Sequence, residues 1–319
     1  MSGILSLATA VPPFELRTED VIREARDIFG GRHQDFDRLL PVFGNSGIQR
    51  RFSIKPYAWF RQPQGWPERS TAFLEGAAAL FAEVTERALD QAGLGAADID
   101  SIVMVSSTGV ATPSIEARML SDMGFRPDVQ RVPVFGLGCA GGASGLSLAA
   151  RLARSSPGSR VLLVVIELCT LAFRADELTK SNIIATALFG DGAAAAVLST
   201  AGRVLGVIEH AGEHTDLATT DLRPAADLFL ERHGLGLAGI DSHCFHPGGA
   251  KVIHALEQAF GLAEGRLGSE REILRDFGNM SAPTVLFVLA RELASPRAGR
   301  RFLSALGPGF TASFITMLH

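Results

Sequence analysis

The stretch Leu137-Gly138-Cys139-Ala140-Gly141-Gly142 decides how this chain is read. An apolar run at 132–137 leads into it, and an Ala- and Leu-rich helical pattern at 142–154 leads out. The sequence describes a strand, a tight glycine turn and a helix start, with a thiol at the turn. A helix N-terminus carries partial positive charge, and a nearby imidazolium adds to it, so this setting is expected to lower the thiol pKa. A lone cysteine is more often a packing residue, and that account serves for Cys169 and Cys244. Cys139 stands apart because two later motifs share its form: His246-Pro247-Gly248-Gly249 and Gly278-Asn279-Met280-Ser281. Together the three supply a thiol, an imidazole and a carboxamide. A thiolate forms acyl enzymes, and the other two groups can donate hydrogen bonds to a developing oxyanion.

Working outward, strand-like runs alternate with helical patterns, which predicts an α/β fold. Expected strands lie at 4–8, 102–106, 132–137, 161–167 and 193–198, with helices at 70–92 and 142–154. A second series follows, with strands at 204–210, 242–245, 273–277, 302–306 and 313–318 and helices at 250–260 and 282–293. Each series is read as a strand ending in a reactive residue beside glycine, with a helix after it. This predicts two related halves, 1–203 with the nucleophile and 204–319 with His246 and Asn279, facing one site.

With 319 residues, 47% hydrophobic and 20% charged, the chain has the profile of a globular protein. A net charge of −4 and no basic run longer than Arg50-Arg51 argue against nucleic-acid binding. That pair is expected instead to meet the phosphates of a small ligand. No stretch reaches about 18 consecutive apolar residues, so no membrane span is expected. The start of the chain lacks the basic region of a signal peptide, and three cysteines suit a reducing, cytoplasmic setting. No paired Cys or His spacing indicates a metal, and no phosphate-loop or dinucleotide glycine pattern sits between a strand and a helix. Gly307-Pro308-Gly309 is a tight turn by composition, expected to form a backbone wall beside the nucleophile.

Gly-Cys-Ala-Gly-Gly, His-Pro-Gly-Gly, Gly-Asn-Met-Ser and Gly-Pro-Gly-Phe together resemble the type III polyketide synthases, the chalcone synthase-like branch of the thiolase superfamily. Leu188-Phe189-Gly190-Asp191-Gly192 and the opening Ala-Thr-Ala-Val-Pro match as well, so the resemblance runs nearly end to end. It implies a cytoplasmic homodimer with a five-layered αβαβα thiolase fold. It also implies no bound cofactor, and CoA thioesters as substrates. Cys139 would take an acyl group from a starter acyl-CoA. His246 and Asn279 would hold a malonyl-CoA thioester during decarboxylation, and repeated rounds would give alkylpyrone-, alkylresorcinol- or chalcone-like products. Phe189 matches a gatekeeper, and Ala172 falls in the segment that lines the cavity, where its small side chain leaves room for a bulky or long acyl starter. Ser281, Gly307, Pro308 and Gly309 are further substrate-binding candidates, and Arg38 falls where relatives place basic residues for CoA.

Two departures accompany the resemblance. Relatives carry about thirty more residues before His-Pro-Gly-Gly, so the region 214–224 is either truly shortened, lacking part of the cavity wall, or interrupted by an omitted disordered segment. The segment 38–45 offers only Arg38 where some relatives have several basic residues. Two other readings share parts of this pattern. One is a single condensation of the ketoacyl carrier-protein synthase III kind, and the other is a catalytically silent protein of thiolase fold.

Overall fold

The computed structural model describes residues 1–32, 36–215 and 222–319. The chain opens with β1 (Ser2–Ala10), β2 (Phe14–Arg17) and α1 (Thr18–Phe29). Short helices α2 (Phe36–Leu39) and α3 (Pro41–Gly44), β3 (Arg50–Ser53) and α4 (Tyr57–Phe60) lead to the long α5 (Trp66–Ala92). Then come β4 (Ser101–Val105), α6 (Ile115–Met119), β5 (Gln130–Val134), α7 (Gly141–Ser155) and β6 (Val161–Leu168). α8 (Lys180–Leu188), β7 (Asp191–Ser199) and β8 (Gly206–Thr215) follow. The last third holds α9 (Leu222–Arg232), β9 (Ser242–Phe245), α10 (Ala250–Phe260), α11 (Gly268–Phe277), α12 (Pro283–Leu293), β10 (Arg300–Gly307) and β11 (Thr311–Leu318).

Nine strands form one sheet in the order β5-β4-β6-β7-β1-β8-β11-β10-β9. β4 pairs parallel with both β5 and β6, and β6, β7 and β1 pair antiparallel in turn. The far side repeats this pattern with one strand fewer. β9 pairs parallel with β10, and β10, β11 and β8 pair antiparallel in turn. The two series meet where β1 pairs with β8 over only three residues, Ser2 to Ile4. At that narrow junction the sheet folds back on itself.

The fold-back is filled by helices. α7 touches β4, β6, β7 and β1 on one side and β8, β10 and β11 on the other, and it packs on α12. Its buried positions are small, including Ala143, Ala149, Ala150 and Ala153, so both half-sheets can approach closely. α12 buries Val285 through Leu289 without a break, as a helix covered all round must. α5 covers the outer face of the first half-sheet through Phe73, Ala77, Leu80, Phe81, Val84 and Ala88, a 3.6-residue stripe. α9 and α10 cover the outer face of the second with Phe229, Ile253 and Phe260. The layers therefore run helix, sheet, helix, sheet, helix. Because β6 and β7 are covered on both faces, every residue in them is buried, which accounts for the apolar runs Val161–Ile166 and Ala193–Leu198.

One expected strand is corrected. Residues 273–277 belong to α11, a helix. Glu270, Ile273, Leu274 and Phe277 recur at helical spacing along it, and the run of apolar residues was too short to separate helix from strand. Asn279 thus follows a helix end at Gly278 (φ +69°), and it reaches the sheet side only through an isolated parallel bridge to Phe189. The expected short region at 214–224 falls partly on 216–221, outside the described residues. On its flanks β8 extends to Thr215 and α9 begins at Leu222.

The start of α7 makes the tightest backbone contact in the core. A Cβ on Gly142 would stand 2.2 Å from the Ala282 carbonyl oxygen. Because that neighbour is backbone, no rotamer change relieves the overlap. Gly142→Ala should lose about 3 kcal/mol or more of stability. Gly31→Ala, with nothing within 4 Å of its Cβ, should change stability by no more than about 0.5 kcal/mol. Urea unfolding midpoints of the two variants measure the difference.

Candidate active site

Cys139 sits in a short 3-10 turn, Gly138–Ala140, between β5 and α7. Gly138 takes φ +49°, and its backbone N–H donates to the Ser107 hydroxyl at 3.0 Å. The Gly307-Pro308-Gly309 loop closes over this turn. A Cβ on Gly307 would meet the Leu137 carbonyl oxygen at 2.6 Å and the Ala140 Cβ at 2.7 Å, so only glycine permits the approach.

A chain of hydrogen bonds joins the three motifs. The Cys139 thiol donates to the Ser281 hydroxyl at 3.5 Å. The Ser281 backbone N–H donates to Asn279 Oδ1 at 2.8 Å, and Asn279 Nδ2 donates to the Gly248 carbonyl at 3.1 Å. The Gly248 N–H in turn donates to the His246 carbonyl at 3.1 Å. Ser281 holds φ +59°, rare for a residue with a side chain, and Thr284 accepts from Met280 N and donates to Ser281 O. Strain of this kind survives where the surroundings fix it.

Electrostatically the site is dry. His246 is 7% exposed, and neither ring nitrogen has a hydrogen-bond partner. Burial alone pushes its pKa down to about 4, so the ring is neutral near pH 7. Burial also raises the Cys139 thiol, which the Ser281 hydrogen bond opposes. The expected lowered thiol is therefore not what this arrangement shows. With no imidazolium beside it, desolvation outweighs the helix start.

Cys139 opens into a pocket whose wall includes Phe189, Ala172, Ser281 and Pro308 from the expected set. Gly307 backs the Cys139 turn. Gly309 (φ +71°) shapes the loop without lining the pocket. Arg38 lies exposed on α2 and away from the pocket wall. The expectation for Arg51 is corrected. It borders the pocket but is 2% exposed, and its guanidinium donates to the carbonyls of Thr186 and Ala187 at the end of α8, while Arg50 lies off the pocket wall beside Glu15 at 3.7 Å. The pocket runs on between β2, α1 and α8, past Leu16, Val21, Ala25, Ile28 and Ala185.

Several site residues escaped the sequence reading. Glu167 accepts twice from Ser107 N (3.1 and 3.0 Å), and burial raises it to about 7, with Cys139 acting in the same direction. Its signal was present: it is the one carboxyl in the apolar run of β6. Asp191, in the Gly-Asp-Gly turn, accepts from Thr170 N (2.7 Å), Thr170 Oγ1 (2.6 Å) and Ile54 N (2.9 Å), which sets the wall around Cys169. Glu270 accepts from Phe245 N at 2.9 Å, one residue before His246. β9 is the last strand of its sheet edge, so no neighbouring strand can take that N–H. Among the described residues no group of three possible metal ligands occurs, and no helix is long and apolar enough to cross a membrane.

Residues 67–202 match the N-terminal domain of the chalcone and stilbene synthases, and residues 235–315 match the C-terminal domain. The chain belongs to this family, the type III polyketide synthases. It is 33% identical to a putative chalcone synthase of Bacillus subtilis, over 99% of this chain and 98% of that one. It is 34% identical to the 1,3,6,8-tetrahydroxynaphthalene synthase of Streptomyces peucetius, over 99% and 93%. Its structure superposes on the crystal structure of the Streptomyces coelicolor 1,3,6,8-tetrahydroxynaphthalene synthase, a bacterial type III polyketide synthase, with a TM-score of 0.93, 26% identity and 99% of each chain covered. The fold is thiolase-like, and the protein is an acyl-transferring condensing enzyme. The alignment with the Bacillus relative spans 357 positions against 319 residues here, so that relative carries internal segments this chain lacks.

Glu270 gives a pH-dependent prediction. Burial raises it from 4.5 to about 8. Between those values the unfolded chain releases a proton that the folded chain keeps, so stability falls as pH rises. Glu270→Gln keeps an acceptor for Phe245 N and has no proton to lose. Its Tm, measured against the parent, should gain progressively from pH 5 to pH 8. A constant difference would remove Glu270 as the source.

Proposed function

We propose that Cys139 is acylated by a starter acyl-CoA and that His246 and Asn279 drive decarboxylation of malonyl-CoA. The observation that carries this reading is the hydrogen-bonded chain from Cys139 through Ser281 and Asn279 to the His246 loop, with both His246 nitrogens left open in a dry site. In the first step the Cys139 thiol passes its proton to neutral His246 and the sulfur attacks the starter carbonyl. The CoA thiolate leaves and takes up the proton. In the second step malonyl-CoA loses carbon dioxide, and negative charge collects on its thioester oxygen. Asn279 spends one N–H on Gly248 O and keeps the other for that oxygen, and a His246 N–H supplies a second bond. The enolate carbon then attacks the acyl-Cys139 carbonyl, the carbon–sulfur bond breaks, and the thiolate is free for another round.

The apolar stretch of the pocket between α1 and α8 suits an acyl chain of some length, in keeping with the small Ala172. Alkylpyrone- or alkylresorcinol-like products fit that shape. CoA thioesters serve as substrates, and no bound cofactor takes part. The working unit is a cytoplasmic homodimer. Its support is the open edge strand β5, next to Phe135 and Val110, which are 62% and 60% exposed. An uncovered sheet edge with an exposed Phe135 just past its end favours pairing.

Intact-protein mass after acyl-CoA treatment should show one adduct, lost in Cys139→Ala. Label on Cys169 or Cys244 would remove the assignment. Asn279→Ala should slow carbon dioxide release from malonyl-CoA by on the order of a hundredfold, while Cys139 still accepts a starter. Unchanged release would count against the donor role. In the parent, release should not drop as pH falls through 6.5, because the His246 ring stays neutral down to about 4.

A further inference from the structure

A second pocket lies at the opposite end of the C-terminal half-sheet from Cys139. Its wall is formed by Asp241, Ser242, Arg266, Arg297, Ala298, Gly299 and Arg301. β9 and β10 run parallel from this pocket, Ser242 opening the first and Arg300 the second. Their far ends lead to His246 and Gly307.

Three arginines, Arg266, Arg297 and Arg301, line this pocket. Arg301 is 1% exposed, and two carbonyls, Glu292 O and Arg297 O, accept from its Nη2 at 3.0 and 2.9 Å. Its Nε is buried with no partner. Arg266 donates only to the Asp241 carbonyl, at 3.2 Å. Among the described residues none of the three has a carboxylate within ion-pair distance, whereas neighbouring Arg300 is paired with Glu209 at 2.7 Å and Arg271 with Glu257 at 2.6 Å. The one carboxylate on the wall, Asp241, turns Oδ2 to the Arg300 backbone N–H at 2.7 Å. The wall thus carries three arginines and one carboxylate, whose Oδ2 is engaged by backbone. A buried guanidinium without a counter-ion is costly, and planar donors fit a tetrahedral oxyanion.

We infer that this pocket binds a phosphate group, free or as a monoester, through Arg266, Arg297 and Arg301 with the Ser242 hydroxyl. The bound group would clamp the starts of the two strands whose ends build the catalytic site. This inference does not rest on the proposed reaction.

The test is thermal unfolding of the full chain with increasing inorganic phosphate, with a simple sugar phosphate, and with sodium chloride at equal ionic strength. Tm should rise by about 3 °C and saturate with a phosphate-bearing probe, with chloride giving no saturating rise. A response to both probes assigns the pocket to the phosphate group itself, and a response to the sugar phosphate alone assigns it to a monoester. In Arg266→Ala/Arg297→Ala, which spares the buried Arg301, the saturating rise should vanish while Cys139 still acylates at the parent rate. Absence of any saturating rise in the parent overturns the inference. Its persistence in the double variant does so as well.

Discussion

The site depends on backbone meeting backbone at the start of α7. Three glycines let this happen. Gly142 lies against the Ala282 carbonyl at the start of α12, Gly307 lies against the Leu137–Ala140 turn, and Gly138 lies under Pro308. Each contact is too close for a side chain. Together they bring a turn from the first half, a helix start from the second and the C-terminal loop to one point. The fold-back of the sheet around α7 and α12 supplies the frame, and the narrow β1–β8 junction allows it. A wider approach would leave the thiol, the carboxamide and the imidazole loop unlinked, however well each half folded.

Closeness also sets the electrostatics. Removing water raises the thiol and lowers the imidazole, so both resting groups are neutral. Neither protonation state is ideal for attack, yet the arrangement suits the chemistry. In the proposed reaction, a thiolate and an imidazolium formed together would attract strongly where there is little water to screen them, and the same dryness would give more weight to the Asn279 and His246 donors.

The fold class and the three motif residues were legible because each rests on local signals: alternating apolar runs, glycine frames and helix starts. β9 and α10 matched their expected bounds, and most other elements matched within a few residues. The exceptions share a cause. The 273–277 run was read as a strand because so short a stretch, with Ile273, Leu274 and Phe277 its apolar residues, cannot be told from a strand by hydrophobicity alone. α1 and α8, which line the pocket beside Cys139, were not singled out, although Val21, Ala25 and Phe29 recur at helical spacing in α1. Arg50 and Arg51 are adjacent in sequence, yet one is exposed and the other capped into the core. Only the position of the α8 carbonyls separates them, and that is a tertiary fact. Glu167 and Glu270 were overlooked for a related reason: a single carboxyl on an apolar face acquires meaning only when its backbone partner is known.

These buried carboxyls also change how the formal charge is read. Glu167, Glu270 and Asp191 are raised to about 7, 8 and 6, each first of all by burial. The count of −4 treats all three as ionised. Near neutral pH the folded protein is less negative than that count, and it holds protons that the unfolded chain has released. By linkage, all three work against stability as pH rises from the ordinary carboxylate range to their folded values. Glu257 does the reverse. Its hydrogen bonds from Arg271 lower it to about 2, so its contribution is present above the ordinary range and lost only in acid. The opposition follows the geometry. Glu257 accepts from the Arg271 guanidinium through both oxygens as well as from Leu267 N–H, whereas the other three accept from backbone N–H groups with no paired cation among the described residues. They are retained because they fix Ser107 beside Cys139, Phe245 before His246 and Thr170 on the pocket wall. In each case a proton-binding carboxyl accepts from backbone beside or adjoining a residue of the candidate site.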